Sequence, residues 1–203
     1  FADFTKIDPW LINPFFEKIS NLDFHERKGE KELSQRVGSL LKKIQDKYDQ
    51  HQIKHAPYVV IKADAGTYGM GIMIAKSPED VLSLNRKKRN KMSVIKEGVK
   101  VSEVIIQEGI HTEEHIDGAV TEPVIYMIDH FVIGGFYRVH TAKGKDENLN
   151  APGMHFIPQP FETSCLMPDQ GRPCDDEANR FYAYGVIARL ALIAAARELE
   201  IKS

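Results

Sequence analysis

Cysteine is nearly absent from this chain: Cys165 and Cys174 are the two, at the ends of "CLMPDQGRPC". No C-x-x-C or other zinc-type spacing is present, so a thiolate metal centre is excluded. A disulfide between the two is an open alternative, and free thiols in a reducing cytoplasm are the expectation. Charge of one sign is lacking too. The 27 basic residues nearly cancel the 29 acidic ones, and the net charge of −2 gives no field that would gather nucleic acid or a membrane surface. No apolar run reaches bilayer length; the longest, "FYAYGVIARLALIAAA" (181–196), carries Arg189 and reads as a buried helix that needs a surface to pack on. No basic-then-apolar leader opens the chain, which begins at Phe1, and the expectation is a piece of a longer polypeptide. No nucleophile elbow of the G-x-S-x-G kind appears.

What is present is an ordinary globular composition, 42% hydrophobic over 203 residues, enough for one domain or two small ones. Residues 1–30 mix prolines, aromatics and charges and read as short helices and loops. From Glu32 to Gln50, apolar residues at Leu33, Val37, Leu40, Leu41, Ile44 and Tyr48 make a helical stripe. Tyr58 to Ala63 and Ile72 to Ala75 read as strands around a glycine-rich break. Ser77-Pro78-Glu79-Asp80 starts a helix predicted to run to about Lys91. Val104 to Gln107 is a further strand, and "EPVIYMIDHFVIGGFYRV" (122–139) is a hairpin turning at Asp129-His130. Helices interleave with strands, but the hairpins point to an α+β fold rather than a doubly wound parallel sheet.

Three features carry chemistry. In "AGTYGMG", a loop between strands, successive N–H groups can face one side and cradle an anion. Gly66, Thr67, Tyr68, Gly69 and Gly71 would lie over phosphates, and Lys62, inside the preceding strand, would add a point charge. The alternative is a plain β-turn beside a solvent-facing lysine. Second, "VIIQEGI" (104–110) ends a β run on Gln107 and Glu108, where backbone groups could meet a purine edge; the alternative is an ordinary strand end. Third, Arg138 leads into "DENLNAPG" and suits an anionic intermediate, with a surface salt bridge as the alternative. Asp129, Glu147, Asn148 and Asn150 supply oxygen ligands of the type magnesium prefers. The five histidines from His111 to His155 include no complete zinc motif. The basic run Arg86–Lys91, "RKKRNK", reads as a solvated helix face.

Taken together, these segments resemble the ATP-grasp superfamily, in which a lid subdomain carries a strand lysine and a glycine hairpin, followed by a hinge and an arginine–asparagine segment. The phrases "KADAGTYGMGIM", "QEGIHTEE", "EPVIYMIDHFVIGGFYRVHT" and "DENLNAPGMHF" are similar to the proteobacterial-type glutamate–cysteine ligase family, and the likeness runs from about Asp8 to Glu200. The resemblance implies an ATP-grasp fold: residues 1–30 as a connecting segment, 31–109 as the lid subdomain with its hinge strand, and 110–203 as an incomplete C-terminal subdomain. It implies ATP and Mg2+ as cofactors and joining of the glutamate γ-carboxylate to cysteine, the first step of glutathione biosynthesis. Alternatives are another ATP-grasp ligase or a non-catalytic ATP-binding module.

By position, the resemblance puts Lys62 on phosphates, residues 66–71 in the lid, and Gln107, Glu108 and Ile110 at the adenine. Arg138 would meet the acyl phosphate, with Asn148 nearby, and Asp129, Glu147 and Asn150 would serve the metal. Members of that family also have an N-terminal half that is missing here. No acidic-x-Asn pair stands in a strand, so some magnesium ligands are expected in that missing half and the chain alone is expected to be inactive. The expected partners are small molecules, without nucleic acid or membrane and with homo-oligomerisation left open. The expected compartment is the cytoplasm.

Overall fold

The computed structural model describes residues 1–64, 71–93, 100–159, 166 and 179–202. The chain separates into two compact units, 1–111 and 112–203. Both are α+β, each built on an antiparallel four-stranded sheet.

The first unit opens with a short helix α1 (Ala2–Thr5) and a single 3-10 turn, Pro9–Leu11. Strand β1 (Phe16–Ile19), helix α2 (Glu30–Gln50) and strands β2 (Val59–Ala63) and β3 (Ile72–Ala75) follow. Helices α3 (Glu79–Leu82) and α4 (Arg86–Ser93) precede β4 (Val104–Glu108), and the sheet order is β1-β4-β2-β3. The stripe on α2 does what its spacing predicts: Leu33, Val37, Leu40, Leu41, Ile44 and Tyr48 are all buried. They pack against Ile19, Val59, Ile61, Val104 and Ile106, which are the alternate residues of the strands. Each such side chain, fully buried, stabilises by about 1.5–3 kcal/mol.

Two local readings need correction. Residues 16–19 are not loop; they form the edge strand β1, paired with β4 from Phe16↔Gln107 to Ile19↔Val104. The helix expected from Ser77 to about Lys91 is two helices. The first ends at Ser83, and the second is restarted by Asn85, whose Oδ1 accepts the Lys88 N–H at 2.9 Å. Buried Leu84 pins the break between them. Ser77 does not cap the first helix through its side chain; the Asp80 carboxylate accepts the N–H groups of Lys76 and Ser77 at 2.7 and 2.9 Å.

The second unit contains β5 (His115–Ile116), β6 (Ala119–Ile128), β7 (Phe131–His140), β8 (His155–Pro158) and α5 (Arg180–Lys202), with strands in sequential order. The hairpin turns at Asp129-His130 as expected, with Asp129 at φ 53°. A bulge near its tip leaves Ile133 without an opposite residue. The core is small: Ala119, Tyr137 and Val139, with Ile116 and Ile157 against them. That size explains the third correction. Helix α5 is not buried within this chain: every residue from 191 to 200 is exposed, because the sheet offers too little surface to cover an apolar helix 23 residues long. Among the described residues no helix is long and apolar enough to cross a membrane.

Candidate functional site

The register of the first sheet sorts its side chains onto two faces. Glu17, Ile19, Val104, Ile106, Glu108, Val59, Ile61 and Ala75 point to the α2 side. Two rows point the other way: Phe16, Gln107, Val60 and Ile74, and next to it Lys18, Ile105, Lys62 and Ile72. This second face is only half covered. Lys62 is therefore in a strand centre without entering the core. Its Nζ donates to Gln107 Oε1 at 2.7 Å, a diagonal bond between β2 and β4. Lys18 stands on the same face but is engaged by Asp64 at 2.5 Å and Glu103 at 2.9 Å, and those carboxylates push its ammonium up to about 12. A cavity of about 220 Å³ opens beside the lysine face between β3 and α4, lined by Ile72, Met73, Ile74, Lys88, Lys91 and Met92. The basic run on α4 thus supplies two exposed lysines to a concave surface.

Gly71 is the one predicted lid glycine within the described residues, with φ 65° at the foot of β3; Gly66, Thr67, Tyr68 and Gly69 lie outside them, as do Cys165 and Cys174.

The residues expected to form a hinge divide between the two faces. Gln107 joins Lys62. Glu108 turns to the α2 side, 2% exposed, where its Oε2 accepts Trp10 Nε1–H at 2.8 Å and the Phe15 N–H at 3.0 Å. Its charge and the burial raise the Tyr48 hydroxyl above its ordinary range, burial being the larger cause. Gly109 then packs on Tyr58: a Cβ at this position would lie 2.0 Å from the Tyr58 ring. Tyr58 also accepts the Gly109 N–H at its carbonyl (2.8 Å) and donates its hydroxyl to the Ile110 carbonyl (2.7 Å). The Ile110 side chain is exposed. Trp10 and Tyr58, which nothing in the local sequence marks, hold this turn.

In the second unit Arg138 lies opposite Glu122 in the β6–β7 register and forms an ion pair with it. Tyr126, Phe136 and Phe156 share that face, with ring centroids 5.7 Å and 4.9 Å apart for successive pairs. Asn148 uses its side-chain oxygen within its own loop, accepting the Asn150 N–H at 2.9 Å. Glu147 accepts from Lys143 Nζ at 2.9 Å and the Gly144 N–H at 2.8 Å, and its carboxyl is lowered by them in that order. The loop is anchored by Leu149, 1% exposed, and by His140. His140 accepts the Ala142 N–H at Nδ1, which leaves Nε2–H to donate to the Pro152 carbonyl at 3.1 Å.

Asp129 does not join this group. It sits in the hairpin turn against His130 at 2.8 Å, at the N-terminal end of β7, whereas residues 147–150 follow its C-terminal end. A ten-residue strand spans roughly 33 Å. Lys145, two residues before Glu147, is tied by its carbonyl to the Thr112 N–H, near the same end. Asp129 and Glu147 therefore cannot share one ion. Among the described residues no group of three or more His, Cys, Asp or Glu side chains could hold a metal.

The family model for glutamate–cysteine ligase (GshA) matches residues 1–199. The chain belongs to the glutamate–cysteine ligase family. It is also similar to a crystal structure from Methylobacillus flagellatus KT of a protein provisionally named gamma-glutamylcysteine synthetase, with 62% identity and a TM-score of 0.87. That match covers 100% of this chain and 48% of the other, so the chain spans about half that protein's length. No curated protein matches the chain.

Proposed function

We propose that this chain is the nucleotide-handling part of an ATP-dependent glutamate–cysteine ligase with an ATP-grasp fold. The observation that carries the ATP reading is Lys62: a strand lysine on the half-covered face of an antiparallel sheet, hydrogen-bonded to Gln107. Membership of the family supports the substrates.

In this reading ATP lies on the Lys62 face. Lys62 leaves Gln107 for the phosphates, with Gly71 at the foot of β3 nearby in the chain. The glutamate γ-carboxylate oxygen attacks the γ-phosphorus, ADP departs, and an acyl phosphate forms. The cysteine amine attacks the acyl carbon, inorganic phosphate leaves, and the amine proton passes to solvent or a nearby base. Little covalent chemistry falls to the protein; its part is positioning and charge neutralisation. Lys62 offsets charge on the transferring phosphoryl group. Arg138, released from Glu122, meets the acyl phosphate, and the loop around Asn148 borders it. Among the described residues no cluster of three or more carboxylate or imidazole ligands stands together, and no step is assigned to a magnesium ion. Closure over the nucleotide excludes water, which would hydrolyse the acyl phosphate.

The test is phosphate release from ATP by the complete protein that carries this sequence, with glutamate and cysteine both present. Release that needs both amino acids supports the reading. Release independent of them, or with a different carboxylate–amine pair, overturns it.

A further inference from the structure

The hinge has an unusual hydrogen-bond count. Gly109 donates its N–H to the Tyr58 carbonyl at 2.8 Å, so residue 109 turns its backbone toward β2. Glu108 turns the other way, and its N–H donates to the Phe15 carbonyl at 2.8 Å. In a regular antiparallel pair the Phe15 N–H would return the bond to the Glu108 carbonyl. It does not. It donates to Glu108 Oε2 at 3.0 Å, on the same oxygen that accepts Trp10 Nε1–H at 2.8 Å. The Glu108 carbonyl is thereby left without a donor among the described residues. Two residues on, the Ile110 carbonyl is taken by the Tyr58 hydroxyl at 2.7 Å, while the Ile110 N–H has no acceptor among the described residues.

A free acceptor followed by a free donor has the polarity of one base edge. Adenine presents an amine donor at N6 and an acceptor at N1; guanine presents the reverse at O6 and N1. We infer that the buried Glu108 carboxylate is a positioning residue for nucleotide choice: by capturing the Phe15 N–H it reserves its own carbonyl for the adenine amine. The inference rests on the nucleotide reading above but not on the identity of the amino-acid substrates. The side chain acts from the far face of the sheet and touches no nucleotide itself.

Removing the carboxylate allows the Phe15 N–H to close onto the carbonyl at residue 108. Binding of ATP and GTP to the complete protein, measured by calorimetry without amino acids, reads the consequence separately from ligation. Wild type is expected to prefer ATP. Glu108→Ala is expected to weaken ATP roughly tenfold, the equivalent of one lost hydrogen bond, with GTP changed much less. Glu108→Gln can accept both donors on its amide oxygen and is expected to retain the preference. Trp10→Phe removes one donor but leaves the Phe15 contact, and is expected to retain it as well. Glu108→Met, of similar volume and without an acceptor, carries the test should the alanine variant fail to fold. A wild type without ATP preference overturns the inference. So does Glu108→Ala or Glu108→Met with an ATP/GTP ratio within twofold of wild type, or loss of the preference in Glu108→Gln. A protein that prefers ATP in this Glu108-dependent way but forms no peptide bond would sink the ligase reading and leave this one standing.

Discussion

Lys62 Nζ and Gln107 Oε1 meet at 2.7 Å across β2 and β4, on the sheet face that α2 does not cover. The bond keeps the ammonium over the open surface, satisfied by a neutral side chain. A phosphate would replace the amide oxygen with a charged acceptor and add ion-pair attraction to a bond whose donor is already charged. Lys18, on the same face, is engaged by Asp64 and Glu103, which makes it the poorer candidate for an anion.

Lys62→Ala should therefore lower the rate of phosphate release by about 10²–10³-fold, as expected for loss of a charge aimed at a transferring phosphoryl group. Initial rates with saturating glutamate and cysteine measure it. A rate within a few-fold of wild type would remove Lys62 from the site.

Arg138 should matter at a different point. Arg138→Ala is expected to reduce phosphate release by roughly 10²-fold or more while leaving ATP affinity within about threefold, if the role proposed for it at the acyl phosphate holds. Titration calorimetry and initial rates on one preparation separate the two effects. A large loss of ATP affinity would assign Arg138 to nucleotide binding instead.

Gly109→Ala tests the packing of the hinge. The new methyl group meets the Tyr58 ring at 2.0 Å, which no rotation of the methyl relieves. Overpacking of this kind costs about 1–3 kcal/mol. The urea midpoint should fall accordingly, and a Tyr58→Leu change in the same protein should recover part of the loss. Two additive effects would show that the residues are not coupled.

How much of this was legible in the sequence differs by element. Helix α2 was, because six apolar residues at helical spacing admit one burial pattern. The β6–β7 hairpin was, because its strand-rich runs flank a two-residue turn. Strand β1 was not: "FEKI" is short, and Phe16 and Lys18 belong to the half-open face, so its alternation does not look like a core strand. Glu108 reads as a polar strand end, yet parity with Val104 and Ile106 sends it inward. Its partners Trp10 and Phe15 lie more than ninety residues away, out of reach of any local pattern. The apolar sequence of α5 spoke for burial, but burial depends on a surface, and the small core beside β6 and β7 does not supply it. The candidate magnesium ligands were grouped by chemistry alone, and the length of β7 separates Asp129 from the rest.

Acid should weaken the first unit through Asp8. Lys47 at 2.5 Å, the Trp10 N–H and His51 at 3.2 Å lower its carboxyl from 3.8 to about 2. The folded value is the lower one, so the contribution is fully present above the ordinary carboxylate range and is lost as pH falls from 3.8 toward 2. Asp8→Asn should lower the urea midpoint at neutral pH and flatten its dependence in that acid window. An unchanged slope there would show that Asp8 is not linked to folding.

The central claim is that the glutamate γ-carboxylate is activated as an acyl phosphate. Glutamate labelled with oxygen-18 in that carboxylate, given to the complete protein with ATP and cysteine, tests it directly by mass spectrometry of the released phosphate. The account predicts one labelled oxygen in each phosphate, formed together with the γ-linked dipeptide. Unlabelled phosphate alongside dipeptide, or phosphate without dipeptide, would contradict it.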